Sequence, residues 1–343
     1  MIRTGKKFSK PEMSRVINGD KILSTSEEKS KRTRLDHVLV KLYPEYNRST
    51  LQNFIKSGYV TVDGRVIKKP NTDIAYIENL KQTNEGDEET QETQKTQKTQ
   101  KNTNPKIELK VPERQTPPDV KDLTLYEDDN ILVLNKPAGM LSTKKGEFTP
   151  EVTLEDYGLL VHRLDRDTSG VVILAKNPAT QSYLRKQFQD RKTHKTYYAI
   201  VEGAPKLDAA KIDLPIARNY KHPTTFLVNP NGKPSTTFYK VLKTEKKPSG
   251  KTYSLLELKP VTGRTHQLRV HLKYLGTPIV GDPIYGSETY RDKSRKPKNR
   301  LFLHAKSLEI TIPGDKENAD GAPEGKRATF DAPLPKSFEE FFA

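Results

Sequence analysis

One segment of the chain cannot join a hydrophobic core, and it separates a short patterned region from a long one. Residues 81 to 105 contain none of the hydrophobic residue types, and residues 91 to 100 repeat glutamine, threonine, lysine and glutamate. A segment of this kind buries too little apolar surface to offset the entropy lost on ordering. We therefore expect a disordered tether with folded regions on both sides. The length of 343 residues agrees with two domains.

The short region has the pattern of two helices followed by a hairpin. Hydrophobic residues recur at helical spacing from Arg34 onward. Ser49 is expected to cap a second helix, and Gly58 is expected to end it in the left-handed conformation that glycine adopts without strain. The dipeptide Asp63-Gly64 is typical of a two-residue hairpin turn. Such a unit is too small to bury a large core, so it is better suited to binding than to catalysis.

A further strand is predicted directly after the tether, at residues 107 to 111. This strand would close the small unit, so the tether is expected to be a loop inside one domain at residues 33 to 112. Residues 1 to 32 are polar and contain several lysines. We interpret them as a flexible basic tail.

The long region, residues 120 to 343, is predicted to fold around a sheet. Helical patterns occur at residues 181 to 191 and 267 to 275. Strand patterns are more frequent, and they occur at residues 131–134, 171–175, 197–201, 253–258 and 301–312. Because helices do not alternate regularly with strands, we expect an α+β domain with a mixed or antiparallel central sheet.

The charge of the chain favours a polyanionic partner. The formal net charge is +16, and each phosphate that a lysine or arginine neutralises releases bound counterions. The chain has no cysteine, which excludes disulfides and thiolate zinc sites and agrees with a cytoplasmic protein. No stretch approaches the ~20 apolar residues that span a bilayer, and the first thirty residues lack the apolar centre of a secretory signal. We therefore expect no membrane partner.

Charged residues are concentrated in one short segment between two hydrophobic ones. Residues 162 to 170 read His-Arg-Leu-Asp-Arg-Asp-Thr-Ser-Gly, and they lie between three apolar residues and a predicted buried strand. Charges in such a position are costly unless they are paired or used. This favours a functional loop around Asp165, while a capped charged turn remains the alternative.

The charged segment and the histidines can be compared with the requirements of known kinds of metal site. The segment begins like a calcium loop, but the position that needs a bidentate glutamate is Lys176. A phosphatase based on Asp165 would need an uninterrupted apolar strand before the aspartate, and His162 interrupts it. His266 and His271 are five residues apart, so they do not lie on one helix face. We therefore expect no metal site.

Two further segments supply groups that could act with Asp165. Thr265 is expected to cap a helix, which places Arg264 at the mouth of that helix, where it would pair with Asp165. Arg264 could equally bind a phosphate. Tyr197 begins a predicted strand beside a lysine, where an aromatic ring could stack on a nucleic-acid base or belong to an ordinary core.

Five motifs occur in a fixed order along the long region. They are Asn-Lys-Pro-Ala-Gly at 135–139, the charged segment at 162–170, Lys-Thr-Tyr-Tyr-Ala-Ile-Val-Glu-Gly at 195–203, Gly-Arg-Thr-His-Gln-Leu-Arg-Val-His at 263–271 and Leu-His-Ala at 303–305. Together they resemble the RluA-type pseudouridine synthases over roughly residues 120 to 340. The short region resembles the αL RNA-binding module of the ribosomal S-four type, through residues 34–36, 48–49 and 58–64.

The resemblance implies roles for individual residues. Asp165 would be the catalytic aspartate, and Tyr197 would pack on the target base and assist proton removal. Arg264 would pair with Asp165 and help to extrude the base, and Leu303 would supply an apolar wall. Further substrate contacts are expected from Arg163, Arg166 and Arg269. RNA contacts in the short region are expected from Arg34, Arg48 and Lys56.

The resemblance also implies a reaction and a partner. The expected reaction is isomerisation of uridine to pseudouridine in structured RNA, without a cofactor because no net redox change occurs. The expected RNA is of the 23S ribosomal type, with transfer RNA left open, and neither DNA nor a second copy of the chain is expected as a partner. A non-catalytic ribosome assembly factor and a magnesium-dependent phosphotransfer enzyme are the alternatives. Residues 141–146 replace the family's His-Pro-Gly loop, and the basic stretch at 291–300 is particular to this chain.

Overall fold

The chain forms two compact units. The structure, a computed structural model, describes residues 16–17, 31–76, 104–111, 113–144, 149–287, 300–317 and 323–343. One unit comprises Met1–Gln115 with Lys145–Pro150, and the other comprises Thr116–Lys144 with Glu151–Ala343. Most of the expected tail, of the polar tether and of the basic stretch lies outside the described residues. Within the described ranges, no helix is long and apolar enough to cross a membrane.

The small unit contains two helices and short strands. Its elements are β1 (Val16–Ile17), β2 (Lys31–Arg34), α1 (Leu35–Leu42), α2 (Arg48–Ser57), β3 (Val60–Val62), β4 (Arg65–Val66), β5 (Asp73–Tyr76) and β6 (Ile107–Leu109). Strand β6 pairs antiparallel with β3 and β1, so the chain after residue 105 contributes a strand to this unit. The core lies between α1, α2 and the strands, and its centre is formed by Leu35, Leu39, Leu51, Phe54 and Ile55.

Local residue chemistry explains the ends of α2 and the hairpin. The side chain of Asn47 accepts a hydrogen bond from the backbone nitrogen of Thr50 at 2.9 Å, so Asn47 is the cap. The predicted cap at Ser49 is therefore wrong, because an equally good cap stands two residues earlier. Gly58 ends the helix at φ +83°, as predicted. Asp63 and Gly64 both have positive φ, which confirms the expected hairpin turn.

Within the described residues, the large unit contains a ten-stranded mixed sheet and a separate two-stranded sheet. Its strands are β7 (Thr124–Glu127), β8 (Ile131–Lys136), β9 (Leu159–Leu160), β10 (Ser169–Ala175), β11 (His194–Glu202), β12 (Ala209–Asp213), β13 (Ile216–Arg218), β14 (Phe226–Val228), β15 (Thr236–Lys246), β16 (Thr252–Pro260), β17 (Leu303–Glu317) and β18 (Pro323–Asp331). Its helices are α3 (Pro178–Gln189), α4 (Gln267–Tyr274) and α5 (Lys336–Glu340).

The strand order explains why functional loops meet near the centre of the sheet. The order is β12-β15-β16-β11-β17-β10-β8-β7, with β18 added to β17 and β9 added to β10. Strands β10 and β17 are parallel, and the other pairs are antiparallel, so the expected α+β class with a mixed sheet is confirmed. The strands β11, β17 and β10 are neighbours, which brings the segments around them together. Helix α3 packs on one hydrophobic cluster through Leu184, and α4 packs on another through Leu268 and Leu272.

One glycine allows the central strands to approach at the end of the charged segment. Gly170 pairs with Ala305 in the parallel β10–β17 ladder and has φ +113°. A Cβ atom at this position would overlap the carbonyl oxygen of Ala305 and lie 2.7 Å from its nitrogen. Only glycine meets both the conformational and the steric requirement here.

We therefore expect Gly170→Ala to lower the free energy of unfolding by about 3 kcal/mol or more, because overpacking adds to backbone strain. Gly250→Ala is the matched control, since Gly250 has φ +81° but nothing within 4 Å of its Cβ position. The control should lose only about 1–2 kcal/mol from strain. Urea unfolding followed by circular dichroism measures both values, and equal losses would contradict the steric explanation.

Candidate active site

A cavity of about 450 Å³ opens on the large unit. Its volume lies within the range of roughly 300–1,000 Å³ that is typical of ligand pockets. Its walls come from the charged segment, the start of β11, the loop before α4 and the start of β17. Six of the seven residues predicted for this site line it, and they are Arg163, Asp165, Tyr197, Arg264, Arg269 and Leu303.

The loop that carries Asp165 is fastened on both sides. Ser142 donates a hydrogen bond to the carbonyl oxygen of Leu164 at 2.7 Å and accepts one from its backbone nitrogen at 3.2 Å. The backbone nitrogen of Thr168 donates to the carbonyl oxygen of Asp165 at 3.1 Å. The loop is therefore held by its backbone, which leaves the Asp165 side chain 28% exposed towards the cavity.

Lys136 also holds the loop that carries Asp165, through a hydrogen bond to the backbone of that loop. Its side chain is fully buried, and its ammonium donates to the carbonyl oxygens of Pro137, Met140 and Arg166 at 2.8–3.0 Å. Burial lowers the pKa of Lys136 to about 7, against the pull of the Asp167 and Asp165 carboxylates. Three carbonyl contacts use all three hydrogens of the charged form. The lysine of the Asn-Lys-Pro-Ala-Gly motif therefore connects the end of β8 to the charged segment.

Asp165 is the exposed end of a chain of three charges. Arg269 donates to Asp165 Oδ2 through Nη1 at 3.2 Å. The same guanidinium donates to both oxygens of Asp282 through Nε and Nη2, at 2.8 Å each. Although burial opposes ionisation of Asp282, the hydrogen bonds from Arg269 hold its pKa below the ordinary value. Burial likewise opposes the charge of Arg269, but its two carboxylate partners raise its pKa.

The predicted partner of Asp165 was Arg264, and this pairing is wrong. The Nε atom of Arg264 donates to the carbonyl oxygen of Pro234 at 3.3 Å, at the rim of the cavity. The expectation assumed that Thr265 caps the helix, but α4 begins after His266, which has φ +56°. Arg269, in the first turn of α4, is the arginine that is buried beside Asp165. Arg269 is thus a partner of carboxylates rather than a free substrate contact.

Tyr197 and Leu303 form the apolar part of the cavity. Leu303 is 3% exposed and belongs to the hydrophobic cluster around β11 and β16. Tyr197 packs against the same cluster and lines the cavity. Burial, with a smaller contribution from the charge of Asp165, raises the pKa of the Tyr197 phenol well above its ordinary value. The tyrosine therefore presents a neutral ring beside an anionic carboxylate.

The remaining predicted cations are placed differently from one another. Arg163 is exposed on the cavity rim, with Nη2 3.4 Å from the hydroxyl of Thr265. Arg166 does not line the cavity, and its Nε donates to the carbonyl oxygen of Gly139 at 3.1 Å. Two unpredicted cations, Arg191 and Lys195, also line the cavity. The cavity therefore combines an apolar wall with a basic rim.

The sequence did not reveal that Asp282 and His266 belong to the site, nor that Lys136 holds the charged segment through backbone carbonyl oxygens. Asp282 is an isolated acidic residue in a turn, and no spacing or motif marks it as the partner of Arg269. His266 was considered only as a metal ligand. Within the part of the chain that the structure describes, no cluster of three or more His, Asp or Glu side chains is arranged to hold a metal ion.

The small unit brings two of its three predicted RNA-binding residues together. Arg34 donates to Asp36 at 3.0 and 3.1 Å, and Arg48 donates to it at 2.9 and 3.2 Å. Gln52 adds a contact at 2.7 Å. Although burial raises the pKa of Asp36, these hydrogen bonds hold it well below the ordinary value. Lys56 is exposed in the last turn of α2.

The two arginines are therefore fixed by one buried carboxylate while their side chains remain 44% and 49% exposed. This arrangement orients the two guanidinium groups at the surface, and it restricts the rotamer freedom that they would otherwise lose on binding an anion.

Both units are similar to known proteins. Residues 130–274 match the family described as RNA pseudouridylate synthase, and residues 33–75 match the S4 domain. Ribosomal large subunit pseudouridine synthase C of Vibrio vulnificus is 33% identical over 308 residues, which cover 86% of this chain and 90% of that protein. The dual-specificity RNA pseudouridine synthase RluA of Vibrio parahaemolyticus is 40% identical over 197 residues, which cover 55% of this chain and 77% of that protein.

The chain thus belongs to the RNA pseudouridine synthase family, and it is an enzyme of that class with an S4 domain near its N-terminus. The resemblance stated from the five motifs is confirmed.

Charge-conserving substitutions can separate the roles of Arg269 and Arg264 in the large unit. We expect Arg269→Lys to lower the rate of uridine isomerisation by about 10²-fold, because a point charge cannot hold two carboxylates and a misplacement of 1 Å costs about that factor. Arg264→Lys is the matched control, and it should change the rate far less. Single-turnover kinetics with saturating enzyme measure both. A larger loss for Arg264→Lys would restore the pairing predicted from the sequence.

Orientation of Arg34 and Arg48 can be separated from their charge. We expect Asp36→Asn to destabilise the small unit by about 1.5–3 kcal/mol, because charge-assisted hydrogen bonds are lost. We also expect it to weaken RNA binding, although removal of the negative charge raises the net charge by one. Glu45→Gln is the control, because it makes the same charge change at an exposed position. Hydrogen exchange at α1 and α2 measures stability, and filter binding measures affinity. Binding by Asp36→Asn as tight as that of the control would show that charge alone matters.

Proposed function

We propose that the chain converts selected uridines to pseudouridine in large-subunit ribosomal RNA, with Asp165 as the catalytic residue. The observation that carries this proposal is the position of Asp165, which is held by Arg269 at 3.2 Å and is exposed to a cavity with an apolar wall. Two of the similar proteins are named ribosomal large subunit pseudouridine synthases, from Vibrio vulnificus and from Xanthomonas campestris. The choice of ribosomal RNA rests on those names.

The reaction breaks the N1–C1′ bond of uridine, turns the uracil and joins C5 to C1′. Cleavage builds positive charge at C1′, and a carboxylate close by stabilises this charge or traps it as a covalent adduct. In this proposal Asp165 does either, or it removes the C2′ proton and gives a glycal. After C5 joins C1′, the C5 proton goes to solvent and N1 gains a proton, so the overall change is an isomerisation.

We propose that Tyr197 acts through its ring and not as the base. Burial raises the pKa of the Tyr197 phenol, so the phenolate needed for proton removal is scarce at neutral pH. The ring forms an apolar face with Leu303, on which a uracil can turn without meeting water. Exclusion of water matters because hydrolysis of the cleaved intermediate would release the base.

The target base must reach this cavity from a folded RNA. A base in a duplex has to leave its stack, which costs a few kcal/mol. Phosphate contacts from the basic rim, where Arg163 and Arg191 lie, would offset that cost. The small unit adds Arg34 and Arg48 as oriented cations. A monomer that acts in the cytoplasm remains a prediction, as does the absence of a cofactor.

The function is tested by release of tritium from RNA labelled at uracil C5, in the presence of EDTA. The wild type should release tritium, because isomerisation exchanges this hydrogen with solvent. Asp165→Asn should fold and bind RNA without turnover, whereas Asp208→Asn, a remote carboxylate with the same charge change, should match the wild type.

Turnover by Asp165→Asn would remove Asp165 from the catalytic role. Tight RNA binding without release from any RNA fraction would instead favour a non-catalytic ribosome assembly factor.

A further inference from the structure

His266 adopts a backbone conformation that only a constrained site maintains. It has φ +56°, and it stands directly before α4. Positive φ is uncommon for residues other than glycine, although histidine, asparagine and aspartate adopt it more often than most. Such conformations persist where the surroundings fix them, and they are frequent at functional sites. The contacts of the imidazole show what fixes this one.

The imidazole of His266 is held by an aromatic pair. Its Nδ1 atom lies 2.9 Å from the hydroxyl oxygen of Tyr285. The rings of Phe226 and Tyr285 both meet it edge to face, with centroids 5.6 Å away. The ring is therefore clamped between the β14 strand and the turn that contains Asp282.

The hydrogen bonds of Tyr285 favour one tautomer of His266. The hydroxyl oxygen of Tyr285 accepts a hydrogen bond from the backbone nitrogen of Phe226 at 2.8 Å. Its own hydrogen is then available to Nδ1 of His266, which favours Nδ1 as the acceptor. A neutral imidazole with Nδ1 as acceptor carries its hydrogen on Nε2. Burial lowers the pKa of His266 and so favours the neutral form. The negative charges of Asp165 and Asp282 oppose this decrease in pKa, and the positive charges of Arg269 and Arg163 add to it.

The Nε2 atom of His266 points to the catalytic carboxylate. It lies 3.9 Å from Asp165 Oδ2, the same oxygen that accepts from Arg269. In the described ranges, the side-chain hydrogen bond that Asp165 accepts goes to Oδ2, and no hydrogen bond reaches its Oδ1. The separation of 3.9 Å is longer than a hydrogen bond, but hydrogen bonds in active sites are often long before substrate binds.

We propose that His266 is a positioning residue that, as the neutral Nε2–H tautomer, holds Asp165 Oδ2 together with Arg269 and so leaves Oδ1 to face the ribose of the target uridine. This role rests on the proposed function. A neutral donor suits it, because a charged imidazolium would add a second cation beside the carboxylate. The positive charge that develops at C1′ would then be less well stabilised.

Two substitutions at His266 separate this role from a structural one. Glutamine places an N–H donor near the position of Nε2, whereas the shorter asparagine amide reaches only the position of Nδ1. Asparagine, however, is the better residue at positive φ. If His266 only shaped the backbone or contacted Tyr285, His266→Asn would be the more active variant.

We expect the opposite order of activity in steady-state isomerisation kinetics. His266→Asn should lose up to about 10²-fold in kcat, the factor that a misplaced group can cost, and His266→Gln should recover several-fold of that loss. KM for RNA should be unchanged in both variants, since the proposed contact is with Asp165. A more active asparagine variant, or a loss confined to KM, would overturn the proposal.

A second measurement does not depend on turnover. Long-range proton–nitrogen correlation spectra of uniformly labelled protein report the tautomer of each histidine, and the signal that disappears in His266→Gln identifies His266. The expected signal is a neutral ring protonated on Nε2, and Tyr285→Phe should perturb it. A ring protonated on Nδ1, or on both nitrogens at neutral pH, would overturn the positioning role in an active enzyme. A wild type that isomerises no RNA would overturn the proposed function, and with it this role.

Discussion

The site depends on one buried cation shared by two carboxylates. Arg269 is 3% exposed, and a buried guanidinium is tolerated only when it is paired and hydrogen-bonded. Asp282 satisfies it through two bonds of 2.8 Å, and the remaining contact reaches Asp165. Because two negative charges meet one positive charge, the group carries a net negative charge, and the exposed carboxylate of Asp165 is where that charge faces the cavity. Helix α4, the charged segment and the turn at Asp282 must all be in place for this arrangement to exist.

A buried aspartate that binds arginine occurs in both units, and its consequence differs between them. In the small unit, buried Asp36 binds two arginines whose side chains remain nearly half exposed, so a carboxylate orients cations at a surface. In the large unit, buried Asp282 binds an arginine that is itself buried, so a carboxylate fixes a cation that in turn contacts Asp165. The first arrangement suits binding of phosphates, and the second suits control of a single carboxylate. The two arrangements therefore suit different tasks, anion binding in the small unit and control of Asp165 in the large unit.

The sequence predicted the parts of the fold that periodicity controls. The strands β8, β10, β11 and β16, the helices α3 and α4, and the glycine and hairpin signals of the small unit are all present, because apolar spacing and turn residues act locally. Asp165 and Tyr197 were found through motif order. The partner of Asp165 was not found. The helix predicted from residue 267 does begin at Gln267, but neither hydrophobicity nor propensity reveals that Arg269 and not Arg264 contacts Asp165. The pairing of Asp282 with Arg269 is a tertiary contact without periodicity, and Asn47 was missed because Ser49 offered a similar capping signal.

The most direct test is a crystal structure of the Asp165→Asn variant bound to its RNA. The variant should bind the target without converting it, so the nucleotide would be trapped. The account predicts a uridine turned out of its stack, with its base against Tyr197 and Leu303 and its C1′ atom about 3–3.5 Å from the free oxygen or nitrogen of residue 165. An RNA bound elsewhere on the chain, with the cavity empty, would contradict the assignment of this site.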